Sequence, residues 1–214
     1  MKLLEVFENL TAGELSQLAI GGGESGVVDP SNYGKLLTHI NLGLTALYTR
    51  FNLKENETSF ALVPGTRSYV IPLDDLLKIE RVYDALGNEW ALNDEGNVLA
   101  CRALSTKQLQ VPEALAATGG IIRVGYRANH PRIIAEYGFI DPALAEVELP
   151  YSHLQALLYF VASRCHNPVG MSNEFHAGNS YMAKYEAECA RLEMENLETD
   201  QGGQYDRLYA NGWV

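Results

Sequence analysis

Cys165-His166 is the one cysteine–histidine adjacency in the chain, and a thiol beside an imidazole is the raw material of an activated nucleophile. Such a pair must face each other across a site, which neighbours at a helix end rarely do. Cys165 continues the apolar series of Leu158 and Ala162, so packing is expected of it, as of most free cysteines. His166 is expected to meet the carbonyl ends of its helix. His153, His166 and His176 stand thirteen and ten residues apart, spacings that match no zinc or non-haem iron pattern. No metal and no cofactor are expected. The run Gly21-Gly22-Gly23-Glu24-Ser25-Gly26 lacks the Gly-Lys-Ser/Thr ending of a phosphate loop and follows a helix, so it reads as an exposed loop.

Carboxylates are the remaining candidates. Glu186, Glu188, Glu193, Glu195 and Glu198 lie within one helical stretch. Glycoside hydrolysis needs two carboxyls across a cleft, one of them shielded from water. Charges scattered round an exposed helix are a solvated face instead. No residue is therefore expected to be catalytic. Tyr205, Leu208, Tyr209 and Trp213 are different in kind. The three aromatics recur every four residues beyond a Gly202-Gly203 hinge. Aromatic anchors dominate protein–protein hot spots, so these four side chains are expected to bind a partner.

The elements that position these groups follow from a change of hydrophobic period along the chain. Leu3, Leu4 and Phe7 suggest a short first helix, and Thr11 to Glu14 has capping-box spacing for a second one. Asp29-Pro30-Ser31-Asn32 opens an amphipathic helix carrying Leu36, Leu37, Ile40, Leu44, Leu47, Tyr48 and Phe51. From Thr58 the period falls to two. Short runs at 59–63, 68–72, 79–85, 89–92 and 98–100 read as strands, with Pro64-Gly65 and Gly87-Asn88 as turns. A further strand is expected at 105–109, and the clearest one follows Gly119-Gly120. Pro150 then opens a helix over 151–165, Asn167-Pro168 breaks it, and a long acidic helix follows over 174–197.

Bulk composition narrows the function classes. The chain has 214 residues, enough for a sizeable core, with 47% hydrophobic and 20% charged side chains. Its 27 acidic against 16 basic residues give a net charge of −11, which argues against gripping nucleic acid through phosphates. A repulsive wall past which DNA slides is compatible with that charge. Three cysteines without a Cys-x-x-Cys pair fit reduced thiols in a cytosolic folding environment. Glu5, Glu8 and Glu14 interrupt the first apolar stretch, so no signal peptide is expected, and no stretch approaches the roughly eighteen apolar residues of a membrane span.

The order of helix, β block, two helices and extended tail resembles the head-to-tail adaptor (connector) proteins of tailed bacteriophages, tail tubular protein A-like. The resemblance runs from about Asn32 to the C-terminus. It is carried by Leu36 to Phe51, Phe60-Ala61-Leu62-Val63-Pro64 and Tyr69-Val70-Ile71-Pro72-Leu73-Asp74-Asp75, which leads into 79–83. Leu149-Pro150, Leu157-Leu158-Tyr159-Phe160-Val161-Ala162-Ser163-Arg164 and the acidic helix continue it. It implies a ring of copies, commonly twelve, attached beneath the portal protein. Such a ring extends the DNA channel at the virion's head–tail junction and carries the tail nozzle or other tail proteins. No membrane is involved.

The expected fold class is thus α+β: a helical bundle-like domain interrupted by a small antiparallel β domain, with an extended C-terminal arm. The expected divisions are 1–31 (helical segment and Gly-rich loop), 32–56 with 150–198 (helical domain), 57–141 (β insert) and 199–214 (docking arm). The alternative reading is a small cell-wall glycoside hydrolase using Glu residues, and a third is a carbohydrate-binding module.

Overall fold

The computed structural model describes residues 1–16, 18, 28–135, 140–166 and 172–195, of which 172–177 as backbone only. It is an α+β protein with two compact units: Met1–Phe51 together with His130–Val214, and Asn52–Asn129.

In the first unit, α1 (Leu3–Ala12) buries Leu3, Val6, Phe7 and Leu10, the three- and four-residue steps of one helix face. The capping-box expectation for Thr11 fails here. Thr11 lies in the last turn of α1, and its hydroxyl donates to the Phe7 carbonyl at 2.9 Å. The apolar steps beginning at Leu3 already define the helix, and the Thr11 hydroxyl turns back on it. Asp29 caps a 3-10 turn over Pro30–Asn32, its Oδ1 accepting from the Ser31 backbone N–H at 2.8 Å, and that turn runs on into α2 (Tyr33–Arg50).

α2 crosses α4 (Leu154–His166) at a glycine. A Cβ on Gly43 would come within 2.7 Å of Leu157 Cδ1 and 2.9 Å of Phe160 Cδ1. α5 (Ser172–Met194) packs on α4, with the Tyr185 ring edge-on to Phe160 at 5.4 Å, and buries Tyr185, Cys189 and Leu192 at steps of four and three. The segment returning to this unit is clipped to α2. Asn41 Nδ2 donates to the Ile133 carbonyl at 2.9 Å, while its Oδ1 accepts from the Ile133 N–H at 3.0 Å. Tyr48 donates its hydroxyl to the Glu148 carbonyl, and burial pushes its pKa up to about 12.

The second unit holds seven strands in two antiparallel sheets. β1 (Glu55–Ala61), β7 (Ile121–Ala128), β3 (Leu76–Tyr83) and β4 (Glu89–Trp90) form one, in that order. β2 (Ser68–Val70), β6 (Gln108–Gln110) and β5 (Arg102–Ser105) form the other. β7 alternates as its sequence suggests, burying Ile122, Val124, Tyr126 and Ala128. These side chains share one core with Leu62, Ile79, Val82, Leu109, Val111 and Leu115.

Two local expectations are corrected in this unit. Residues 98–100 form a turn, not a strand, because Asn97 Oδ1 accepts from the Leu99 N–H at 2.9 Å and curls the backbone. Residues 105–109 are not one strand but the end of β5, a tight turn at Thr106-Lys107 and most of β6. A short helix, α3 (Glu113–Ala116), follows Pro112 and was not anticipated.

Candidate functional site

The side chains with chemical potential are taken up largely by packing and pairing. Burial pushes the Cys165 thiol up to about 11, which keeps it protonated at neutral pH. The neighbouring His166 ring stacks on Tyr181 with centroids 5.2 Å apart, and its Nε2 lies 3.2 Å from the Glu14 carbonyl. His166 does meet a carbonyl, but one just beyond α1 rather than one of its own helix. Among the described residues no group of three His, Cys, Asp or Glu side chains could hold a metal. The side chain of His176 and the Gly21 to Gly26 loop lie outside the described residues.

Among the described histidine side chains His153 is the most enclosed, 1% exposed and edge-on to Phe51 at 4.8 Å. Its Nε2 is buried without a hydrogen-bond partner. Burial, against a smaller opposing pull from Glu188, holds its pKa below the ordinary 6.5. The unfolded chain therefore takes up the proton first as pH falls, so this contribution is intact above pH 6.5 and is lost on acidification below it. His39, lowered mainly by burial, acts in the same sense. Urea midpoints are expected to fall between pH 7.5 and 5.5, and to fall less in His153→Gln. An identical pH response in that variant would remove His153 from the account.

The acidic run on α5 is an ion-pair system. Arg50, from the last turn of α2, donates to Glu186 and Glu193, each at 2.6 Å. Arg191 donates to Glu188 and Glu195, again at 2.6 Å. The Arg191 guanidinium holds Glu188, and the Arg50 guanidinium holds Glu193, below the ordinary carboxylate range. A general acid for glycoside hydrolysis needs the opposite shift. The expectation of a merely solvated face is refined accordingly, since half of these carboxylates fix α5 to α2. Glu198 lies outside the described residues, as do all four expected partner contacts, Tyr205, Leu208, Tyr209 and Trp213.

Sequence reasoning did not single out an open cleft of about 430 Å³ in the helical unit. Its walls are the first residues of the chain and the segment leading into α4. They are joined by an antiparallel bridge between Lys2 and Glu146, by Leu3 N–H to the Ala145 carbonyl at 3.0 Å, and by a 2.9 Å Lys2–Glu146 ion pair. Tyr151 donates its hydroxyl across the cleft to Glu5 at 3.1 Å. Nothing local in the sequence says that residues 1–5 lie opposite Glu146 and Glu148.

The chain belongs to the SU10 adaptor protein family, whose profile matches residues 10–208. This is a family of phage structural adaptors, in keeping with the resemblance to head-to-tail adaptors seen in the sequence. No curated protein matches the chain. Among the described residues no helix is long and apolar enough to cross a membrane.

Proposed function

We propose that this chain is the head-to-tail adaptor of a tailed phage. Copies of it form a closed ring, commonly of twelve, beneath the portal once the genome is packaged. The ring prolongs the DNA channel at the head–tail junction of the virion and offers its far side to the tail nozzle or other tail proteins. The chain folds in the host cytoplasm. The observation that carries this reading is membership of the SU10 adaptor family over residues 10–208.

Charge supports it on physical grounds. Duplex DNA carries about one negative charge per 1.7 Å of axis, and a protein that holds it must supply lysines or arginines to the phosphates. A chain with net charge −11 makes a channel wall that does not retain the genome. The C-terminal arm supplies Tyr205, Leu208, Tyr209 and Trp213 as contacts to the portal or a neighbouring copy. The work is geometric and no residue is catalytic.

Native mass spectrometry of the full chain with and without its portal tests the reading. A closed ring on the portal is the expected result. A chain that stays monomeric and ignores the portal would overturn it and bring turnover of purified peptidoglycan forward as the next assay.

A further inference from the structure

One sheet edge of the β unit is left unguarded. β4 spans two residues, β2 three and β5 four, and β5 also breaks register against β6 between Ala103 and Ser105. The stretch of β3 that β4 leaves uncovered is broken by register shifts against β7. Short and irregular edges resist the addition of a strand. β1 is the exception, with seven residues, no proline and a continuous register from Glu55↔Arg127 to Ala61↔Ile121.

The hydrogen-bonding phase of that edge is fixed. The Ala128 N–H donates to the Lys54 carbonyl at 2.9 Å and the Leu62 N–H to the Gly120 carbonyl at 2.8 Å, so the even-numbered residues bond to β7. Glu55, Glu57, Ser59 and Ala61 therefore turn their N–H and C=O groups the other way. Among the described residues these backbone groups have no partner, and all four side chains are exposed. The edge thus presents alternating donors and acceptors at the spacing of another extended chain.

The strand fits itself. Two copies of β1 laid antiparallel over their full length put Glu57 opposite Ser59 and Glu55 opposite Ala61, about a two-fold axis at Thr58. All four outward-facing residues of both copies then fall in hydrogen-bonded pairs. The same register sets each carboxylate against a small neutral side chain, whereas like charges directly opposite would repel. Sliding one way brings Glu57 against Glu57, and sliding the other leaves Glu55 unpaired. Glu57 already has Arg123 of its own copy at 3.8 Å, so no cation is required of the partner. Among the described strand edges, β1 of another copy is also the one long and regular enough to cover it.

We infer that two copies of this chain pair antiparallel along β1, joining their sheets into one across a two-fold axis at Thr58. The same patch serves both copies, so the contact closes on a pair and goes no further. A ring repeats a head-to-tail contact instead. The pair is therefore a form of the free chain, and it goes beyond the adaptor reading without resting on it. It also covers an edge that would otherwise recruit other strands.

Sedimentation velocity and cysteine cross-linking of the full chain test it. Ser59→Pro deletes an outward N–H and leaves the β7 ladder intact, a position at which edge strands accept proline. The wild-type chain is expected to be a dimer at submillimolar concentration, and Ser59→Pro to weaken dimerisation at least tenfold with its circular dichroism unchanged. Thr58→Cys reads the register independently of that variant's folding. Lying on the axis, it should form a disulfide-linked dimer under copper phenanthroline, whereas Glu55→Cys, opposite Ala61, should not. Cys101 and Cys189 are buried, and the wild-type chain controls for background. A monomeric wild-type chain overturns the inference, as does a dimer that links no faster through Thr58→Cys than through Glu55→Cys. A monomer whose β1 amides gain exchange protection only on the portal would also overturn it, and would assign the edge to a partner's strand. Ring formation on the portal is a separate reading, so either proposal can fail while the other stands.

Discussion

Gly43→Ile is expected to destabilise the helical unit by about 3 kcal/mol, at the upper end of the range for overpacking a close-packed core. The reason is the crossing of α2 and α4. Even a bare Cβ at this position would lie 2.7 Å from Leu157 Cδ1 and 2.9 Å from Phe160 Cδ1, inside contact distance for both. Leu157 is fully buried and Phe160 only 5% exposed, and Phe160 is held edge-on by Tyr185 at 5.4 Å, so neither can swing into solvent. The branched side chain would drive the two helices apart and open voids along their whole contact.

Gly43→Ala sharpens the test because two effects oppose each other. Alanine gains about 1 kcal/mol of helix propensity over glycine. The clash then costs about as much if the Leu157 methyl gives way, so a net change within about 1 kcal/mol is expected. Urea unfolding followed by circular dichroism at 222 nm reads both variants. An isoleucine variant as stable as the wild type would show that the crossing is looser than its distances indicate.

Removing the arm after Thr199 is expected to leave the urea midpoint unchanged and to weaken portal binding at least a hundredfold. That factor corresponds to about 2.7 kcal/mol, which one or two aromatic hot-spot residues can supply. The proposed contacts Tyr205, Leu208, Tyr209 and Trp213 all lie beyond the cut. Single replacements Tyr209→Ala and Trp213→Ala should each lose part of the affinity. Binding measured by interferometry against immobilised portal decides the point, and unchanged affinity in the truncated chain ends the docking-arm proposal.

Much of the architecture was legible because it is written in short-range periods. Leu36, Leu37, Ile40, Leu44 and Leu47 specify α2, and the structure gives Tyr33–Arg50. The turn glycines and alternation near Ile121 specify β7. Two of the misreadings arose where side chains bond their own backbone. Asn97 turned an apolar run into a loop, and Thr11 joined the end of a helix instead of starting one. Each looks like the other class until its single hydrogen bond is known.

By itself, the sequence determined the α+β class, the order of helix, β block and helices, the acidic balance and the family likeness. These depend on residue type and on neighbours within about one helical turn or one strand pair. Only the tertiary structure decided that Arg50 pairs with Glu186 and Glu193, and that Gly43 is where two helices touch. It also decided that residues 1–5 wall a cleft with Glu146 and Tyr151. Those partners lie more than a hundred residues apart in the chain, and no local period encodes which buried faces will meet. That choice is made by the packing of whole elements, where volume and charge must be satisfied together.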